Sequence, residues 1–256
     1  MAKPSFQARV LVLKKTKLGE SDLIITALQE DGSLIKAVAK GARKPNSPFA
    51  SRLEIFSLSN CLIAQGKNLH IFSEAHCENA HSGLRGDILA NTAAFPIVES
   101  VAKTAQEGLE IPHLFEMTEK VLCFIESSSK ISYPIFTAAF LLKLFALLGL
   151  RPRFCECVSC LEKIDLKQDL GRIPFSYQDG GVLCCNCCNS FESTLLEADL
   201  LAWCQILLMS RFDELQNTGM DTGTEFAILQ FCQNWCRQNL SLNLKSLDFL
   251  FSCGLF

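Results

Sequence analysis

The sequence predicts a multidomain α+β protein: a small closed β-barrel at the amino terminus, then an α-helical domain with a cysteine-rich module inserted into it. Three observations lead there. The first eighty residues alternate in short runs separated by turn signals. After Gly83 the apolar residues recur at helical spacing. Between Phe154 and Ser190 that period vanishes and cysteines cluster. The expected boundaries are residues 1–80 for the barrel, 81–153 and 191–256 for the two parts of the helical domain, and 154–190 for the module.

The barrel strands read in order. Phe6 to Lys14 alternates, with Phe6, Ala8, Val10 and Val12 on one side and Gln7, Arg9, Leu11 and Leu13 on the other. Leu23 to Leu28 is rich in β-branched residues, and Glu30-Asp31-Gly32-Ser33 marks a turn before Leu34 to Ala39. Leu53 to Ala64 follows, then a second turn at residues 65–68 and a strand from Leu69 to Phe72. Five short strands joined by tight turns suit a closed barrel, because closure removes exposed edges; a five-stranded barrel of this size is of the OB-fold type.

The helices come next. Ile88 to Ala105 carries an apolar stripe, and Pro112 opens a second helix with Leu114, Phe115, Val121, Leu122 and Ile125 on one face. Ile131 to Leu148 is apolar almost all round, which predicts a central helix; Gly149 and Pro152 stop it. Pro134 and Lys143 argue against a membrane span there, since a lysine at the midplane costs roughly 2.5–3.5 kcal/mol on insertion scales. Further helices are expected at Thr194–Ser210 and Thr224–Gln238, before a terminal segment from Leu240 to Phe251.

Charge is unevenly spread. The formal net charge is −3, yet residues 1–60 hold ten Lys/Arg against five Asp/Glu, while the rest holds fourteen against twenty-two. This predicts a basic binding face on an acidic body. Lys36, Lys40, Arg43 and Lys44 lie on or just after one strand, and Lys14, Lys15 and Lys17 extend its neighbour. The candidate nucleic-acid-binding residues are therefore Arg9, Lys14, Lys15, Lys36, Lys40, Arg43 and Lys44. Aromatic side chains are sparse beside them, which predicts recognition of the phosphate backbone without sequence preference. Reversal of Arg43 and Lys44 is expected to weaken binding and spare the fold.

Fourteen cysteines are many for a chain whose first ten residues hold no apolar run of signal-peptide length. In a reducing compartment they serve packing, metal or catalysis. Cys61, Cys123, Cys204, Cys232, Cys236 and Cys253 stand singly among apolar neighbours and read as small hydrophobes. Cys157/Cys160 and Cys184/Cys187 instead form two C-x2-C pairs, a spacing that puts two thiolates on one tight turn. Two such turns fill the shell of one structural Zn2+ and leave no open position for catalysis. Cys155, Cys185 and Cys188 are alternative ligands, the last two being a competing C-x2-C pair.

The order of several motifs resembles the RecO family of bacterial recombination mediators. They read Val10-Leu-Val-Leu13, Gly19-Glu-Ser-Asp-Leu-Ile24, Asp31-Gly-Ser-Leu34, Ala37-Val-Ala-Lys-Gly-Ala-Arg-Lys44, Leu148-Gly-Leu-Arg-Pro152, Cys157-Val-Ser-Cys160, Gly180-Gly-Val-Leu-Cys184 and Leu244-Lys-Ser-Leu247. The resemblance implies an OB domain, a helical domain and a zinc module with Cys157, Cys160, Cys184 and Cys187 as ligands. It implies a cytoplasmic, nucleoid-associated DNA repair protein with no enzymatic turnover. Such a protein binds single- and double-stranded DNA, anneals strands, holds the acidic C-terminal tail of single-stranded-DNA-binding protein (SSB) and, with RecR, helps load RecA. One departure is Leu161, where the family commonly has glycine.

Two rival readings accompany this one. His76-Cys-Glu78 matches the H-x-E of zinc deaminases, but no proline precedes Cys157 or Cys184 as that chemistry's second motif requires. The other rival is a zinc-ribbon adaptor that contacts protein and not DNA. For an acidic tail, the aromatic residues Trp203, Phe212, Phe231, Trp235 and Phe249 with Arg211, Arg237 and Lys245 nearby are the residues to inspect, although bundle core is the plainer role for each aromatic.

Overall fold

The computed structural model describes residues 4–128, 133–166 and 171–255. The chain forms two compact units, Met1–Ser127 and Ser128–Phe256. Helices that the sequence groups into one domain are thus divided between the two.

In the first unit, β1 (Ser5–Leu18), β2 (Asp22–Gln29), β3 (Leu34–Ala39), β4 (Leu58–Ala64) and β5 (His70–Asn79) close a barrel in the order β1-β2-β3-β5-β4. All neighbours are antiparallel except β3 and β5. Val10, Val12, Ile25, Ala27, Ile35, Ala37, Ile63 and Phe72 fill the interior, as strand alternation requires. The opposite face of β1 changes character along its length because α2 (Ile88–Thr104) packs there: Leu11 and Leu13 are buried, while Gln7 lies open.

β4 begins later than expected. Leu53 belongs instead to a run of turns between β3 and β4, whose Ala42, Phe49 and Leu53 plug one end of the barrel. Phe56 fastens the end of that run. Its N–H donates to the Val12 carbonyl at 2.9 Å, its φ is +72°, and its buried ring meets Phe95 of α2 edge-on at 5.3 Å. The rest of the unit is the short α1 (Ser82–Gly86) and α3 (Leu114–Ser127).

The second unit contains α4 (Tyr133–Leu147), α5 (Ala198–Met209), α6 (Thr222–Leu240), α7 (Lys245–Ser252) and a small sheet of β6 (Arg172–Ser176), β7 (Gly181–Val182) and β8 (Thr194–Glu197), in the order β7-β6-β8. The expected start of the central helix at Ile131 lies outside the described residues. From Tyr133 on, α4 is buried nearly all round. Its Lys143 ammonium, with a pKa lowered by burial, donates to the Leu208 carbonyl at 2.8 Å. Among the described residues no helix is long and apolar enough to cross a membrane. Residues 194–197, expected to open a helix, are extended instead, their backbone taken up by the ladder from Arg172↔Glu197 to Phe175↔Thr194.

Cys61, Cys204, Cys232 and Cys236 are buried as expected, but Cys123 is exposed on α3 and Cys253 only partly covered. In α6, Glu225 is 3% exposed, and burial together with the Asp221 charge pushes its pKa up to about 7. The folded chain therefore holds a proton that the unfolded chain releases near the ordinary value of 4.5. That contribution to stability is complete below pH 4.5 and is lost as pH rises through 7. Glu225→Gln is expected to raise stability at pH 8 by about 1–2 kcal/mol and to leave it nearly unchanged at pH 5. Thermal unfolding followed by circular dichroism at both pH values checks this.

Candidate functional site

Strand β1 runs on past the barrel, and a register shift decides where its lysines point. Val12 pairs with Ala27, but Lys14 pairs with Thr26, so Leu13 is an extra residue. Beyond it, Lys15 and Lys17 pair with Ile25 and Leu23, whose side chains face the interior. Lys15 and Lys17 thus share the inward face at the barrel mouth. Lys14 takes the outward face, in one cross-strand row with Thr26 and Lys36.

The loop after β3 closes over the same end. Gly41 sits at φ +65°, and its N–H donates to the Asp22 carboxylate at 2.7 Å. That bond first, and then the Ser21 hydroxyl, holds Asp22 below the usual carboxylate range; Lys40 and Lys44 beside it act in the same direction. Arg43 donates to the carbonyl oxygens of Gly19 and Glu20 at 3.2 and 2.8 Å, and its own N–H reaches Ser21. Arg43 is therefore a fastening of the β1–β2 hairpin as well as a cation. Its reversal would disturb that fastening, which makes Lys40 and Lys44 the cleaner probes.

The candidate cations separate into two groups. Lys14, Lys40 and Lys44 are exposed and form no ion pair among the described residues; Lys17, which the candidate set omitted, joins them. The others are engaged. Lys15 bonds Glu54 at 2.5 Å and Lys36 bonds Glu107 at 3.3 Å. Arg9 lies farther along the barrel, between Glu78 of β5 at 2.8 Å and Glu119 of α3 at 3.1 Å, with Glu30 at 3.5 Å and the Phe115 ring at 5.3 Å. These contacts, led by Glu78, raise its pKa further. Arg9 ties helix α3 to the barrel wall.

The sulfur site lies in the second unit. The sulfurs of Cys157, Cys160, Cys184 and Cys187 all lie within 4.8 Å of one another, with Cys160 and Cys184 at 3.6 Å. Four sulfurs around zinc at about 2.3 Å stand about 3.8 Å apart, so the set fits one tetrahedral ion. Burial opposes ionisation of Cys157, yet the N–H groups of Cys160, Cys184 and Ser159 prevail and hold its thiol below the ordinary range. Each knuckle is a backbone turn, with Leu161 N–H on the Cys157 carbonyl at 3.0 Å and Cys187 N–H on the Cys184 carbonyl at 3.1 Å. Leu161 takes φ +64°, the conformation for which glycine is suited, at a cost of about 1–2 kcal/mol.

Gly180 and Gly181 have separate roles before the second pair. Gly180 turns at φ +88°, whereas a Cβ on Gly181 would stand 2.4 Å from the Arg153 carbonyl oxygen. Cys155, Cys185 and Cys188 fall outside the cluster, and the Cys188 thiol turns to the Cys185 carbonyl instead. His76 and Glu78 lie exposed on β5 and belong to no described group of metal ligands. Of the aromatics considered for a peptide partner, Phe231 and Trp235 are core, while Phe249 is 56% exposed. Arg237 is bonded to Asn243 and Asp248.

Residues 1–80 match the family model described as "Recombination protein O N terminal", and residues 85–248 match "Recombination protein O C terminal". Curated proteins named DNA repair protein RecO are similar along the chain. That of Thermoanaerobacter sp. (strain X514) is 28% identical over 251 residues, covering 95% of this chain and 96% of its own. That of Bifidobacterium adolescentis is 30% identical, covering 96% and 99%. That of Synechococcus elongatus is 33% identical, covering 70% and 68%.

The pairing of Arg9 yields a direct expectation. Arg9→Ala should lower stability by about 1–2 kcal/mol through lost helix docking, while affinity for an oligonucleotide stays within about 2-fold. Denaturant unfolding and fluorescence anisotropy measured on the same preparation check both parts.

Proposed function

The chain belongs to the RecO family of DNA repair proteins, and on that premise we propose that it is a non-enzymatic mediator whose OB-type barrel binds single- and double-stranded DNA by the phosphate backbone. The observation that carries this reading is the gathering, at one barrel end, of Lys17, Lys40 and Lys44, which form no ion pair among the described residues, with Lys14 on the adjoining strand face. Cations outside any close ion pair can displace counterions from phosphate. Two backbones brought to such a face repel each other less, so complementary bases can pair with no covalent step. In this role the protein anneals strands and, with RecR, helps load RecA onto DNA coated with SSB, whose acidic tail it binds. Its place of work is the bacterial cytoplasm, at the nucleoid.

Zinc is the proposed occupant of the sulfur site, held by Cys157, Cys160, Cys184 and Cys187. A closed four-thiolate shell supplies folding energy and no reaction. The donor set supports this, being all sulfur at tetrahedral separations.

The triple reversal Lys17→Glu, Lys40→Glu and Lys44→Glu should weaken oligonucleotide binding by at least about 10-fold at low salt and flatten the log–log salt slope by about 2. The melting temperature should be retained. Unchanged affinity by fluorescence anisotropy rejects this face. Metal analysis by plasma emission should return one zinc per chain, lost in Cys184→Ser and kept in Cys185→Ser. Equal metal content in the two variants would move the ligand set elsewhere.

A further inference from the structure

Between the hairpin lysines and the barrel plug lies a cavity of about 440 Å³, within the roughly 300–1,000 Å³ range of small-molecule sites. Leu23, Ala42, Phe49 and Leu53 form its apolar wall. The last three are the plug of the barrel, so packing below holds that wall in place. Lys17 and Arg43 stand at its edge. The half-buried Lys15–Glu54 pair completes the lining, with donor and acceptor 2.5 Å apart.

We propose that this cavity receives one unstacked base of a single-stranded nucleic acid. The proposal rests on the phosphate-binding reading of the same barrel end and adds the part of the ligand that enters. Four features select that occupant. The volume admits a base with its sugar and excludes a base pair in a duplex. The apolar wall suits the weakly hydrated face of a base. The Lys15–Glu54 pair offers both a donor and an acceptor, as the mixed edge of a base requires. Lys17 at the edge, with Lys40 and Lys44 on the loop outside, provides positive charge for the flanking phosphates.

The consequence is discrimination by strandedness without reading sequence. A duplex keeps its bases stacked and meets only the lysines, whereas a single strand is held by its backbone and by one base. The neighbouring bases stay available for pairing. Such a grip suits a protein that must hold one strand while a second finds it.

Ala50 offers the test, because it lines the cavity yet is exposed and lies outside the barrel core. In the full chain, Ala50→Phe fills the space without changing charge. Two single-stranded ligands of equal length are compared by anisotropy at one salt concentration, a thymidine oligomer and an abasic sugar-phosphate oligomer. The parent protein should prefer the base-bearing strand by roughly 10-fold. In Ala50→Phe that ratio should fall to near one while duplex affinity holds. Should Ala50→Phe unfold, Ala50→Leu should give an intermediate ratio. Equal binding of the two strands by the parent, or an undiminished ratio in a folded variant, overturns the cavity proposal and leaves the phosphate reading standing. Failure to bind any of these ligands at low salt removes both.

Discussion

A single register shift in β1 governs the basic end of this molecule. The side chains of a strand alternate strictly, so one extra residue at Leu13 exchanges the two faces for everything after it. Were Leu13 paired in regular register opposite Thr26, Lys14 would face the barrel interior, and Lys15 and Lys17 would point away from the mouth. With it, Lys15 and Lys17 continue the line of Val10 and Val12 out of the core. The strand that builds the barrel wall thereby becomes, a few residues later, the edge of a charged opening. Backbone bonds support the shift: Val12 exchanges bonds with Phe56 and Ser57 on the loop that plugs the barrel.

Positive charge at this end is sorted by what stands beside it. Lys15, Lys36 and Arg9 are neutralised by carboxylates from other elements, and Arg43 is occupied with hairpin carbonyls. The unpaired lysines cost little in the folded state because they are exposed. They therefore remain available to an outside anion. The sulfur site is organised on another principle. Its four thiols are gathered by two backbone turns and by close packing at Gly181, so an ion held there would be bound by the same contacts that fold the module. The module also meets a cluster of rings: Phe154 and Phe175 pack against Phe231, and Phe175 also meets Trp235 of α6, with centroids 5.3–6.2 Å apart. The cysteine turns and the helical core are thus coupled within the second unit.

Much of this could be read from the sequence where the signal is local. Alternation in Phe6 to Val12 gave the barrel's inner face, and two C-x2-C spacings singled out the sulfurs that come together. The positive φ of Leu161 explains why its departure from glycine stands out. What could not be read depends on partners distant in the chain. Arg9 resembles a binding cation until Glu78 and Glu119 are seen beside it, sixty-nine and one hundred and ten residues away. Lys15 is likewise met by Glu54. The register shift has no signature in composition, since Leu13 is an ordinary strand residue. Nothing local shows which face Lys17 takes, and the apolar character of Leu53 misplaces the start of β4. Leu53 is apolar because it plugs the barrel, not because it lies in a strand.

Strand annealing by this chain requires that its basic end bring two phosphate backbones together. The direct measurement is the rate at which complementary dye-labelled oligonucleotides anneal, followed by energy transfer, with the metal-loaded chain across a range of ionic strength. Acceleration at low salt that fades as salt rises, with no dependence on base sequence, is the predicted result. A rate equal to that of the free strands at every ionic strength would contradict it.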